Sequence, residues 1–254
     1  MVLNFKKLAL IAVSAMLFSC SAVPVGNKVV SSSDVEKAVT RLTRAGVPLQ
    51  MDPAGDVRWI EARNGEINDR DMRYLPSLPK LEWLEIGKGA VSDKGMKYLK
   101  KCTGLKRLYI HDLNLTGEEL AWISGLNHLE ALALQNTHID GKFLRHLSSV
   151  ESLKVLNLSG DKITDEDMPQ IARFKNLEVL SLADTRITGK GIEALKGMAR
   201  LNELNIERCL IPDDDLDYFL SMPNLRIVYA EGCNLNDMAV QNVVARFPSL
   251  AIFR

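Results

Sequence analysis

Cysteine is scarce: four residues among 254, none of them in a C-x-x-C pair. That is too few for a disulfide scaffold and supplies no zinc-ribbon knuckle. An excess of charge is also missing. The 32 Lys and Arg offset the 32 Asp and Glu, so there is no basic surplus to neutralise a phosphate backbone, and nucleic acid is not expected as a partner. No apolar run reaches the roughly 20 residues a membrane-spanning helix needs. A phosphate-binding glycine loop, a G-x-S-x-G elbow, an H-E-x-x-H helix and a G-x-G-x-x-G turn are absent as well. The chain therefore reads as a non-enzyme with no cofactor. Its bulk is ordinary, 46% apolar and 25% charged, which suits a globular core and not a disordered chain.

What is present begins with an address. Lys6 and Lys7 precede the uncharged stretch Leu8 to Phe18. A helix of that length covers about 16 Å, half a bilayer core, but it fits the apolar region of a secretory leader. The following Leu17-Phe18-Ser19-Cys20 resembles a bacterial lipobox. The resemblance implies a signal peptide over 1–19, lipid attachment at Cys20, and a membrane-anchored lipoprotein of the cell envelope, in the periplasm or at the surface. An ordinary signal peptide cut near Ala22, with a secreted product, is the alternative. Residues 20–33, small and polar after Cys20, read as a tether. Residues 34–56 read as an N-terminal cap. Val35, Ala38, Val39 and Leu42 share one helical face, Gly46 ends it, Val47–Met51 forms a short strand, and Asp52-Pro53-Ala54-Gly55-Asp56 turns the chain.

From Val57 the sequence repeats. Units start at Val57, Leu81, Leu105, Leu129, Leu153, Leu177, Leu201 and Leu225, each 24 residues after the last, and a ninth start falls at Leu250. Positions 1, 4, 6, 11, 16, 19 and 22 are apolar in every unit except at Arg246. Positions 4 and 6 have strand spacing and positions 16, 19 and 22 trace a helical face. Position 12 holds a helix-capping residue in seven of eight units; position 13 is Asp in five units and Gly in three. Thr116 with Glu119 and Thr164 with Asp167 have capping-box spacing. Each unit is thus strand, turn, helix.

The pattern L-x-x-L-x-L-x-x-x-x-I-[TS]-D-x-x-L-x-x-L-x-x-L resembles the leucine-rich repeat family, and most closely its cysteine-containing, F-box-type subfamily. It covers residues 57–254: eight full units and a terminal strand. The resemblance implies an α/β solenoid, an open horseshoe with a parallel sheet on the concave side and helices on the convex side. It also implies that position 9 points inward, stacking Cys209 and Cys233 as neighbours in a ladder with Thr137 and Thr185; free ladder thiols and a disulfide are both open readings.

Alternation places positions 3 and 5 on the open face of the sheet. There Trp59 and Trp83 stack beside Glu61 and Glu85, followed by Arg107, Tyr109 and, at position 7, His111. Trp, Tyr and Arg dominate binding hot spots, so these seven residues are the candidate contact for a protein or peptide partner. The competing expectation is that Trp59 and Trp83 pack against the N-terminal cap. Solvated or structural roles suit His128, His138 and His146, the acids Asp161, Asp165 and Asp167, the acids Asp213 to Asp215, and the lysines Lys94, Lys97, Lys100 and Lys101. An intracellular F-box-like adaptor is the alternative function for such repeats; the leader and the lack of an F-box-like helical domain speak against it.

Overall fold

The computed structural model describes residues 32–116 and 120–254. The leader, Cys20, most of the tether and Glu119 lie outside these residues. Ten strands form one open sheet in chain order: β1 (Leu49–Met51), β2 (Val57–Ala62), β3 (Trp83–Gly87), β4 (Arg107–His111), β5 (Ala131–Gln135), β6 (Val155–Asn157), β7 (Val179–Ser181), β8 (Glu203–Asn205), β9 (Ile227–Tyr229) and β10 (Ala251–Phe253). β1 runs antiparallel to β2, and β2 to β10 are parallel. The 24-residue period becomes a lateral register in which Ile60, Leu84, Leu108, Leu132, Leu156, Leu180, Leu204 and Val228 stand side by side, each fully buried.

The convex side departs from the expected run of helices. Four-to-five-residue α-helical pieces occur at α2 (Asp69–Met72), α3 (Asp93–Met96), α4 (Met168–Ile171) and α5 (Gly189–Glu193), after the longer α1 (Ser32–Arg44). Units three, four and seven use 3-10 turns instead, at Leu120–Gly125, Gly141–Leu147 and Asp213–Ser221, and among the described residues only unit eight has a long helix, α6 (Asp237–Arg246). The reason is width. An α-helix with side chains is about 10 Å across, whereas parallel strands repeat at about 4.8 Å. Helical segments can follow the strands one for one only if they are short or tightly wound and the back of the solenoid is splayed, which curves the sheet into a horseshoe.

Carboxylates fasten consecutive units. Asp69 accepts from the Ser92 amide and hydroxyl, both at 2.7 Å; Asp165 accepts from the Thr188 amide at 2.7 Å and hydroxyl at 2.6 Å. Asp93 serves Thr116, and Asp213 serves Asn236, in the same way. The accepting acid is position 13 and the donor is position 12 of the next unit. Position 15 of the receiving unit is small in units two, six and eight, as Gly95, Gly191 and Ala239: a Cβ on Gly95 would stand 2.4 Å from Asp69 Oδ1, and one on Gly191 2.6 Å from Asp165 Oδ1. At two of the three glycines of position 13, Gly141 and Gly189, the roles reverse. Asp167 fills the space over Gly141 and Asp215 that over Gly189, so that an added Cβ would meet a carboxylate oxygen at 1.9 or 1.6 Å. Asp167 then caps its own Thr164 amide at 2.9 Å, and Pro212 has no amide hydrogen to satisfy. The first unit has no predecessor. Its Asp71 caps Asn68 and takes Arg41 Nε of α1 at 2.7 Å, tying that helix to the array.

Position 9 forms the inward ladder. The Thr137 and Thr185 hydroxyls donate to Leu134 O and Leu182 O at 2.8 and 2.6 Å, and the thiols of Cys209 and Cys233 to Leu182 O and Ile206 O at 3.1 and 3.0 Å. Both cysteines are free and buried, and burial pushes the Cys209 thiol up to about 11. Asp161 is the odd member. It is 4% exposed; its Oδ1 accepts from the Thr137 amide at 2.9 Å while its Oδ2 has no partner. Burial outweighs the neighbouring amides and raises this carboxyl to about 7. Asp165 and Asp167 are committed to the junctions.

At the far end the register differs from the sequence alignment. Leu250 occupies the first core position, but Ala251 pairs with Ile227, a spacing of 24 rather than 25. The residue inserted near Arg246 is recovered before the strand. Phe253 consequently lies on the sheet face, 53% exposed, stacked on Tyr229 at 5.4 Å.

Candidate functional site

The concave face is built by alternation: with positions 4 and 6 in the core, positions 3, 5 and 7 face the other way. In register, Trp59 stands between Gln50 of β1 and Trp83 of β3, and Trp83 is followed by Arg107. The indoles of Trp59 and Trp83 stack with centroids 4.4 Å apart; Tyr109 continues the row at 5.1 Å, and the Arg107 guanidinium lies 5.8 Å over the Trp83 ring. The expected residues therefore do come together, and Trp59 lies both beside the cap strand and within the aromatic row.

The face is less open than alternation alone suggests. Trp83 is 5% and Glu85 8% exposed, whereas Trp59, Glu61, Arg107, Tyr109 and His111 are half-buried. Neighbours 4.8 Å away on a parallel sheet shield one another, and large rings do so most. Trp83 Nε1 and the Tyr109 hydroxyl are buried without a hydrogen-bond partner, and burial drives the Tyr109 phenol well above its ordinary value. Both groups are held as donors.

Beside the rings is a charge network. Glu85 receives Arg63 Nε at 2.7 Å and His111 Nε2 at 3.5 Å; Arg63 also reaches Glu61 at 3.5 Å, and His111 Nδ1 meets Asp112 at 3.1 Å. Burial works to raise the Glu85 carboxyl, but His111 and Arg63 outweigh it and hold the group below its usual range. The hydrogen bond to Glu85 raises His111. The imidazole lies over Gly87, where any Cβ would come within 2.1 Å of the ring. Sequence reasoning missed Arg63 and Gly87. Continuing the two-residue alternation to position 7 would have found both, since each is one step past a singled-out glutamate.

The C-terminal half of the face holds a further group that sequence reasoning passed over. Glu203, at position 3 of β8, is 6% exposed and its Oε1 has no partner; burial raises the carboxyl. Among the described residues no group of three His, Cys, Asp or Glu is arranged to hold a metal. No helix among them is long and apolar enough to cross a membrane.

A family model described as Leucine Rich repeat matches residues 175–196. Comparison with curated proteins gives no match. Among solved structures, internalin C2 of Listeria monocytogenes aligns with a TM-score of 0.62 at 21% identity, over 85% of this chain and 90% of that one. A leucine-rich-repeat protein of Leptospira interrogans aligns at 0.53 and 18% identity, over 72% of this chain and 51% of that one. TLR13, solved in complex with ssRNA13, aligns at 0.51 and 29% identity over 67% of this chain but 24% of its own.

Proposed function

We propose that this leucine-rich-repeat solenoid is a non-enzymatic binding module that presents its concave face to a protein or peptide. The observation that carries the reading is the row Trp59, Trp83, Tyr109 and Arg107, in which two buried donors, Trp83 Nε1 and the Tyr109 hydroxyl, lack an acceptor among the described residues. A buried unsatisfied donor is costly, and an acceptor from a partner removes that cost. The absence of a net positive charge favours a protein over a nucleic acid, unlike TLR13 with its ssRNA13.

Selection of a random displayed peptide library on the full-length protein tests the face. Trp59→Ala or Arg107→Ala should weaken the selected peptides roughly 30-fold, about 2 kcal/mol, with the melting temperature retained. Lys97→Ala and Lys196→Ala on the convex side should not. The reverse pattern would move binding to the convex face and leave the aromatic row a structural feature.

The module is, in the same proposal, an envelope lipoprotein anchored through Cys20. Lys6, Lys7, the apolar stretch Leu8–Phe18 and the lipobox-like Leu17-Phe18-Ser19-Cys20 support this. The expressed protein should take up labelled fatty acid and partition into detergent, and Cys20→Ala should abolish both. A mature N-terminus at Val23 would refute the anchor.

A further inference from the structure

Glu203 stands where a carboxylate is least comfortable. Its lateral neighbours on the concave face are Val179 on β7 and Ile227 on β9, both apolar. The outward positions of units seven and eight, Glu203, Asn205, Glu207, Ile227, Tyr229 and Glu231, contain no base. The guanidiniums of units seven and eight and of the terminal strand make their bonds elsewhere, Arg246 with Asp217. Arg208 pairs with Asp184 at 2.5 Å, Arg226 donates to Pro223 O and Leu225 O, and Arg254 holds Leu235 O and Asp237. Asn205 is also occupied, its oxygen taking the Glu207 amide and its amide nitrogen reaching Glu207 Oε2. A carboxylate that is 6% exposed, close enough to the Tyr229 phenol to raise it, flanked laterally by hydrocarbon and with no hydrogen-bond partner for Oε1 among the described residues opposes folding unless a group from outside completes it.

We infer that Glu203 is a specificity-determining contact that receives a lysine or arginine side chain of the protein partner. The inference rests on the concave-face reading and adds a polarity to it. Donors without acceptors lie at β3 and β4, and an acceptor without a donor lies at β8. Four strand spacings separate β4 from β8, roughly 19 Å, which an extended peptide crosses in about six residues. A partner segment that satisfies both ends carries an acceptor, such as Asp or Glu, for Arg107, Tyr109 and Trp83. It carries a base about six residues away for Glu203. This spacing fixes both the register and the direction in which the segment lies across the sheet.

The same displayed library, selected on the full-length protein, supplies the probes. Peptides from the parent should be enriched in Lys or Arg, with an acidic residue about six positions away. Against Glu203→Gln, which keeps the shape and removes the charge, these peptides should bind at least tenfold more weakly. Replacing the peptide base by norleucine should cost the same factor against the parent and nothing further against the variant. Carbon-13 NMR of the Glu203 carboxyl should show its titration midpoint falling when a basic peptide binds. Binders that depend on Trp59 and Arg107 but show no basic preference and no response to Glu203→Gln overturn the assignment of Glu203 and leave the concave-face reading intact. Binders indifferent to all three residues overturn both.

Discussion

Asp161 shows how much one side chain can bias the whole array. Its carboxyl is displaced upward, to about 7 from the ordinary 3.8, by burial in the inward ladder. The folded state therefore holds this proton more tightly than the unfolded state does. Its contribution is fully present below about pH 4 and is lost as the pH rises towards 7, on the order of 4 kcal/mol across that window. Asp161→Asn keeps an acceptor for the Thr137 amide and cannot ionise. The variant should be the more stable protein at pH 8, and the difference between variant and parent in urea midpoint should vanish near pH 4. A difference independent of pH would show that Asp161 does not titrate in this range. Its inward direction followed from position 9 of the repeat; what the sequence hid is that burial would leave its Oδ2 without a hydrogen-bond partner among the described residues. Trp59, Trp83, Arg107 and Tyr109 were legible, since strand alternation alone assigns their face. Glu203 was not, because its significance depends on the apolar neighbours that lateral pairing brings to it from units 24 residues away.

At the scale of the element, strands were readable and helices less so. A two-residue alternation between fixed leucines admits one local answer, whereas three apolar positions at helical spacing suit an α-helix and a 3-10 turn alike. Crowding at the back of the sheet decides between them. The junction between elements offers the sharpest test. Asp165→Gly should leave the Thr188 amide unsatisfied and cost about 1–3 kcal/mol. Gly191→Asp alone should be at least as damaging, since it drives a second carboxylate against Asp165. The double variant recreates the arrangement seen between Gly141 and Asp167 and should recover most of the loss. The measurement is a double-mutant cycle from chemical denaturation, and a coupling energy within error of zero would refute the pairing.

For the whole molecule, the period of 24 carried nearly everything: unit number, the single sheet and the direction of its faces. Among the strands, the last one escaped, because the insertion near Arg246 is absorbed before Ala251 and the shift is invisible without the pairing partner. A solenoid held by nearest-neighbour contacts should respond locally to damage. Leu156→Ala, in the fully buried centre of the array, should cost roughly 2–5 kcal/mol. Hydrogen exchange should accelerate first in the units flanking β6 and only later near α1 and α6. Uniform acceleration, or a Val155→Ala variant that is equally damaged, would contradict the register.

The carboxylates at the junctions from unit four to unit seven also restrict how this stretch of the gene can grow or shrink by unequal crossing-over. Loss of unit five would place Gly141 before Gly191 and leave the junction with no acid. Loss of unit six would place Asp165 before Asp215 and crowd two acids into one space. Loss of both would join Gly141 to Asp215, a match, with Pro212 asking for no partner. In this stretch, deletion of units five and six together, 48 residues, should cost the folded chain less than deletion of either alone.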